Sequence, residues 1–372
     1  MTAATPDSET SPHGPSASAA ATTRLARLRV DTGAIADNWR FFRKLAPNAV
    51  CAAVVKADSY GLGADDAVRA LARPGARVFF TATSAEALAV RRTLGEGPQI
   101  FVLNGPQGDD LDRFTQARLT PVLNSLAQIA LWGGRGAAAL HIDTGMNRLG
   151  VGLDELGAAA MALKDASLAL VMSHLACSST PSHQMNQDQR LRFMECARLF
   201  PRAPLSIAAS SGALIGAGYH FDLIRPGIGL YGNGGFDQGN PPLAVAATVD
   251  APILQVRDVE IGQTFGYGAT LTAPKKMRTA TVAIGYADGL LRSLSGRGYG
   301  VLGGTRLPIL GRVSMDLTIL DVTTCAEAKP GVMVEFLGAQ ALLEDVAACA
   351  GTAAYEILTT FAGTVRKTGL RA

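Results

Sequence analysis

The chain has 372 residues, 48% of them hydrophobic and 17% charged, with a net charge of +3. That length can bury a large core and suits two domains rather than one, and so small a charge points to neither a nucleic-acid nor a membrane-surface partner. No apolar run is long enough to span a bilayer, and five scattered cysteines (Cys51, Cys177, Cys196, Cys325, Cys349) form no disulfide framework, which suits a cytoplasmic protein.

Residues 1–23 are rich in Ala, Ser, Thr and Pro, without hydrophobic periodicity or the apolar core of a secretory signal, and read as a flexible tail. A helix follows, with Asp31 as its cap and Ile35, Trp39 and Phe42 recurring at helical spacing toward a core. From there short β-rich runs alternate with helical patterns. The runs begin near Val50 (AVCAAVVKA), Arg77 (RVFFTA), Gln99 (QIFVLN), Leu119 (LTPVLN), Ala138 (AALHID), Leu168 (LALVMSH), Leu205 (LSIAAS) and Asp222 (DLIRPG). Between the sixth and seventh, the segment from Gln184 to Phe200 gathers Leu191, Met194, Ala197 and Leu199 near one face. Eight strands with helical crossovers predict an α/β fold, a (β/α)8 TIM-like barrel over residues 24–242; an open doubly wound sheet is the competing architecture. Beyond the Gly/Pro stretch from Gly232 to Pro242 the texture changes to alternating runs such as ILQVRDVEIG and RTATVAIGY, with little helix before Leu342. Residues 243–372 therefore read as a mostly-β second domain.

The polar residues fall on this scaffold in a pattern. Lys56 ends the first strand, Asp143 and Arg148 follow the fifth, and His174 ends the sixth. Ser210 and Ser211 end the seventh, and Arg225 and Gly227 the eighth. Barrel enzymes build their sites at these strand ends. A strand-end lysine is ordinarily exposed. Lys56, flanked by valines, would instead be partly desolvated, which lowers its pKa and suits it to a Schiff base with an aldehyde cofactor. Both readings stand on the segment alone. Ser211 and the loop RPGIGLYG, after strands seven and eight, are placed to bind a phosphate, with Gly227 allowing close backbone approach. The same loop spells GxGxxG, but NGGFDQGNPP follows it and cannot open a helix, so a dinucleotide site is rejected. His174, Cys177 and His183 are irregularly spaced and lack a clear fourth ligand, a poor zinc site; no metal is expected.

Taken together, VVKADSYGLGA, HIDTGMNRLGV, SHLACSS, RPGIGLYG, GYGAT, IGYADG and GRVSMD resemble the successive signatures of the alanine racemase family, in order, from about Leu28 to Arg366. The resemblance implies an N-terminal (β/α)8 barrel, a C-terminal β domain, bound pyridoxal 5'-phosphate and a homodimer. It makes alanine the substrate and D-alanine for cell-wall peptidoglycan the product. Lys56 would carry the cofactor and serve as one catalytic base, with Tyr267 of the partner subunit as the other. Tyr60, Ser211, Gly227 and Ile228 would hold the phosphate, His174 would pack beside the pyridine ring, and Arg148 would steady the phenolic oxygen and meet substrate. Arg225 would hydrogen-bond the pyridine nitrogen. Tyr286, Met315 and Asp316, again from the partner, would shape the substrate entrance.

Three positions depart from the commonest family pattern. Many members have a carbamylated lysine where this chain has His141, some have a tyrosine near the phosphate where Gly363 falls, and Asn is frequent in place of Ser210. The nearest rivals are a broader amino-acid or serine racemase on the same scaffold and a non-catalytic carrier of pyridoxal phosphate. Such carriers generally lack the second domain and the GYGAT tyrosine.

Overall fold

The computed structural model describes residues 25–237, 239–364 and 366–371; the expected tail lies outside them. The eight predicted strand runs all form. A parallel sheet runs Ala53–Val54, Val78–Thr81, Gln99–Val102, Thr120–Leu123, Ala138–His141, Leu168–Met172 and Leu205–Ser206, in sequence order. It closes on itself through Leu223–Ile224, which pairs in parallel with Val50–Cys51, the first half of the opening strand. Ala209 and Arg225 bridge the seventh strand end to the eighth. Closure leaves no unpaired edge, so the architecture is the (β/α)8 barrel and not the open sheet. Its lumen is packed with apolar side chains, among them Phe80 and Phe101, stacked at 4.7 Å.

The helix Thr32–Leu45 opens as predicted: the Asp31 carboxylate accepts from Ala34 N–H (2.9 Å). Ile35, Trp39 and Phe42 are buried, and Trp39 Nε1 donates to Cys51 O on the first barrel strand. The crossover helix Gln184–Ala197 forms, and the structure decides which of its faces turns inward. Its inward face carries Asn186, Gln189, Phe193 and Ala197, while Leu191, Met194 and Leu199 are exposed. The polar residues point inward because the strand-end loops need partners. Gln189 accepts from Ala176 N–H and donates to His174 O and Thr144 Oγ1, and Asn186 donates to Thr180 O. Satisfying buried backbone groups outweighs hiding these apolar side chains.

The second unit is built on the 13-residue strand Ala247–Val259, which pairs antiparallel with Met277–Val282 and Met333–Leu337. The strand Arg27–Asp31, ahead of the whole barrel, also belongs to this sheet: it pairs antiparallel with Ala247–Val259 and parallel with Arg366–Arg371. Its alternation buries Leu28 and Val30 on one face, and Arg29 forms an ion pair with Asp250. The chain thus crosses between the two units twice. Among the described residues no helix is long and apolar enough to cross a membrane.

Candidate active site

A cavity of about 490 Å³ opens at the C-terminal ends of the barrel strands. Lys56, Tyr60, Arg148, His174, Arg225, Gly227 and Ile228, singled out in the sequence, all line it, and so do His141 and Ser210. Among the described residues no aspartate or glutamate does. The chamber is basic, suited to an anionic guest.

Lys56 leads into an unusual turn. Ala57, Asp58, Ser59 and Tyr60 all have positive φ, between 53° and 57°, where an L-residue is less stable by about 1–2 kcal/mol. Ser59 N–H donates to Val55 O (3.0 Å), Gly61 N–H to Ala57 O (2.6 Å) and Gly63 N–H to Asp58 O (2.9 Å). This left-handed turn buries Tyr60 while Lys56 lines the cavity. Burial holds the Lys56 ammonium below the ordinary lysine range. Arg148 pushes it in the same direction, and the Glu86 carboxylate opposes them. The amine is therefore free to act as a nucleophile more often than an exposed lysine.

The imidazoles have an assigned state. Asn124 Nδ2 donates to Leu103 O (3.0 Å) and Val122 O (2.9 Å), so its Oδ1 is the atom that faces His141 Nδ1 at 2.8 Å. Nδ1 then carries the proton and Nε2 the bare lone pair. Burial foremost, with Arg225 and Arg148, pulls His141 down to about 4 against the opposing Asp143. His174 is held well below its usual value by burial and by the same two arginines. Arg225 is 3% exposed; it donates to Ser173 O (2.7 Å) and to Ser206 Oγ. Burial pushes its guanidinium down to about 9, still a cation at neutral pH. The loop that carries Arg148 is folded by Asp143, whose carboxylate accepts from the Gly145, Met146 and Asn147 amides.

On the opposite side, the Ser210 hydroxyl accepts from both Gly227 N–H (2.9 Å) and Gly229 N–H (3.0 Å). With both lone pairs engaged, its own proton is left to donate into the cavity. A Cβ on Gly227 would lie 3.2 Å from Tyr60 Cζ and inside contact distance of the Tyr60 hydroxyl. Burial raises the Tyr60 phenol well above its ordinary value, with Tyr355 and Tyr231 contributing, so it remains a donor. Ser211 is buried but does not line the cavity; its hydroxyl meets that of Ser178 at 2.7 Å.

Among the lining residues the sequence did not single out, one is a tyrosine. Where Gly363 reads as leaving out the tyrosine of some family members, Tyr355, at the other end of the helix Ala354–Thr364, is the tyrosine that this helix brings to the cavity. It lines the cavity, with its ring 6.2 Å from that of Tyr60. Nothing in its local sequence marks it, because what selects it is the docking of this helix on the barrel mouth.

Tyr267, Tyr286, Met315 and Asp316 do not reach the cavity of their own chain. All four are exposed, Tyr267 by 71%. They stand on turns that brace one another. Tyr286 N–H donates to Ser314 O, Ala287 N–H to Met315 O, and Gly266 and Gly268, with φ of 63° and 74°, flank Tyr267 beside Arg312.

Comparison with known proteins places this geometry. Residues 30–234 match the family model for the alanine racemase N-terminal domain, and residues 246–368 the model for its C-terminal domain. The chain is 44% identical over 344 residues to the catabolic alanine racemase of Agrobacterium fabrum, covering 89% of each chain. It is 44% identical to the alanine racemase of Rhodospirillum rubrum, covering 90% of this chain and 93% of that one. Among solved structures it resembles the alanine racemase of Bartonella henselae with covalently bound pyridoxal phosphate (TM-score 0.88, 34% identity, 92% of this chain and 99% of that one). The biosynthetic alanine racemase of Pseudomonas aeruginosa is similar to a like degree (TM-score 0.87, 32% identity, 93% and 99%).

Proposed function

Because the chain belongs to the alanine racemase family, we propose that it interconverts L- and D-alanine with pyridoxal 5'-phosphate carried on Lys56, using Lys56 and Tyr267 of the partner subunit as the two acid–base groups. The observation that carries this is a lysine of lowered basicity at a barrel strand end, facing a cavity lined by cations and, among the described residues, by no carboxylate.

The cavity fits the cofactor on its own terms. Gly227, lacking a Cβ, lets the Tyr60 hydroxyl pack against its backbone at the cavity wall, and Ser210 presents an uncommitted hydroxyl proton. Tyr60, Gly227, Ile228 and Ser210 would hold the phosphate, with Tyr355 at the mouth and Ser211 bracing the loop from behind. His174 would lie beside the ring, and Arg148 would face its phenolic oxygen and the substrate carboxylate. When bound, pyridoxal phosphate supplies an aldehyde that condenses with amines and a ring that withdraws electrons from the carbon bearing the substrate's α-proton.

Inversion needs one group to take that proton and another to return one on the opposite face. Lys56 serves one face from within the barrel. Tyr267, exposed and remote from its own chain's cavity, serves the other from the partner subunit. Tyr286, Met315 and Asp316 share its exposed face and would close the entrance, as a two-fold dimer allows. Each positioned acid or base is worth about 10²–10⁴-fold in rate. Arg225 donates and does not accept, so a ring nitrogen placed against it stays unprotonated; this tempers electron withdrawal and favours prompt return of the proton to the α-carbon. The D-alanine formed would serve peptidoglycan synthesis in the cytoplasm.

The test is a racemisation assay over a panel of L- and D-amino acids. Alanine should turn over fastest in both directions, and the visible cofactor band should disappear on dialysis against a carbonyl reagent. Failure of the holoenzyme to racemise alanine would overturn the reading, and faster turnover of serine or a larger side chain would move it to a broader racemase.

A further inference from the structure

The left-handed turn after Lys56 requires an explanation that its internal hydrogen bonds do not give. Four consecutive L-residues in this region favour relaxing to ordinary backbone, and the shift would swing both the lysine and Tyr60. The segment is held from outside on either side of Lys56. Val55 N–H donates to Phe80 O at 2.9 Å, tying the residue before it to the second barrel strand. Ala57 N–H, the first amide of the turn, donates to Glu86 Oε1 at 3.0 Å. The second oxygen of the same carboxylate, Oε2, accepts from Ala82 N–H at 2.8 Å, and Ala82 lies just past the second barrel strand and lines the cavity. Glu86 lies in the first turn of the helix Ser84–Leu94, whose geometry places its side chain, and the Thr83 hydroxyl caps that helix. A glutamate there would ordinarily only complement the helix dipole or cap its own helix.

We propose that Glu86 is a positioning residue for this site: by accepting from the Ala57 and Ala82 amides at once, its carboxylate locks the left-handed turn that aims Lys56 and Tyr60. The inference deepens the racemase reading and rests on it for the meaning of Lys56, though not for the clamp itself. A carboxylate suits the task because both backbone groups are donors. Glutamine offers one acceptor oxygen and turns an NH2 toward the other N–H. The charge has a second effect. Lys56 shares its surroundings with Arg148, His174 and Glu86, and Glu86 is the one that favours its protonated form, so it limits how far burial and Arg148 depress the amine.

The experiment compares Glu86→Gln and Thr83→Ala in the full-length holoenzyme and in the same protein stripped of cofactor. Amide hydrogen exchange over residues 57–63 should rise about tenfold in Glu86→Gln, the effect of losing a charge-assisted hydrogen bond. Pyridoxal phosphate affinity should fall by a similar factor. The pH at which the Lys56 amine of the stripped protein becomes reactive should move down, because the Glu86 charge that favours its protonated form has gone. Thr83→Ala removes the helix cap without touching the Ala57 amide; it should lower Tm while leaving exchange at 57–63, cofactor affinity and the Lys56 pH profile as in wild type. Unchanged exchange in Glu86→Gln, or an equal rise in Thr83→Ala, overturns the clamp. If the wild-type protein binds no cofactor, the functional reading fails, yet the exchange comparison still decides the clamp.

Discussion

In the barrel, the cavity residues are buried and tied across several strands: Arg225 to Ser173 and Ser206, His141 to Asn124, Ser210 to the Gly227 and Gly229 amides. In the second domain, Tyr267, Tyr286, Met315 and Asp316 are exposed on glycine-rich turns braced by neighbouring loops. A buried polar site must satisfy every donor and acceptor within the chain, whereas an exposed one is held by turn geometry and, on the proposed reading, would meet a partner subunit. The difference teaches where each half would be vulnerable: the barrel half to lost hydrogen-bond partners and overpacking, and the second-domain face, if the proposed dimer forms, to lost assembly.

The sharpest way to break this contrast is to disable one half in each subunit. Lys56→Ala and Tyr267→Phe homodimers should each lose at least about 10³-fold in activity. After subunit exchange in equal amounts, half the dimers carry one intact site, so about a quarter of wild-type activity should return. No recovery despite demonstrated exchange would mean that each site is built within one chain. Borohydride reduction of the wild type should leave the pyridoxyl mass on Lys56.

Acid should expose the next difference. All five histidines precede residue 243. His141 is held at about 4 and His174 well below its usual value. A histidine depressed in the folded state keeps its full contribution above the unfolded value of about 6.5 and loses it as pH falls toward the folded one. For His141 that loss is on the order of 3 kcal/mol by pH 4. Both tryptophans, Trp39 and Trp132, lie on the barrel side, so denaturant unfolding followed by tryptophan fluorescence reports the sensitive unit. The midpoint should fall steadily between pH 6.5 and 4, and less steeply in His141→Gln; a flat profile would show that these imidazoles are not buried neutral.

Two glycine substitutions sharpen the comparison further. Gly227→Ala places a Cβ against the buried Tyr60 ring and should weaken cofactor binding about 10–100-fold through overpacking. Gly268→Ala, at φ 74°, meets chiefly the flexible end of Arg312. Its penalty is backbone strain of about 1 kcal/mol, read as a small drop in Tm with cofactor affinity unchanged. Equal cofactor loss in both would erase the distinction between a packed half and a braced one. The smallest expected effect is none: stripping bicarbonate from the buffer should leave activity unchanged, since His141 forms no stable carbamate, and a clear loss would reveal one on a lysine elsewhere.

Much of this molecule was legible in its sequence, because the signals are local. Eight β-rich runs separated by helical periods give the barrel its strands, Asp31 caps its helix, and the residues at the strand ends meet at one mouth because the fold brings all those ends together. Other features depend on contacts between distant segments. Sequence hydrophobicity did not say which face of Gln184–Ala197 turns inward, since the demand of the His174 and Thr144 loops for hydrogen bonds lies outside that helix. Tyr355 enters the site only because its helix docks on the barrel mouth. Arg27–Asp31 joins the second sheet through pairing with strands more than two hundred residues away. The proton on His141 Nδ1 is fixed by Asn124, whose own amide is oriented by two backbone carbonyls. Periodicity and caps act within a few residues of chain; hydrogen-bond satisfaction and docking act through space, and only the folded structure decides them.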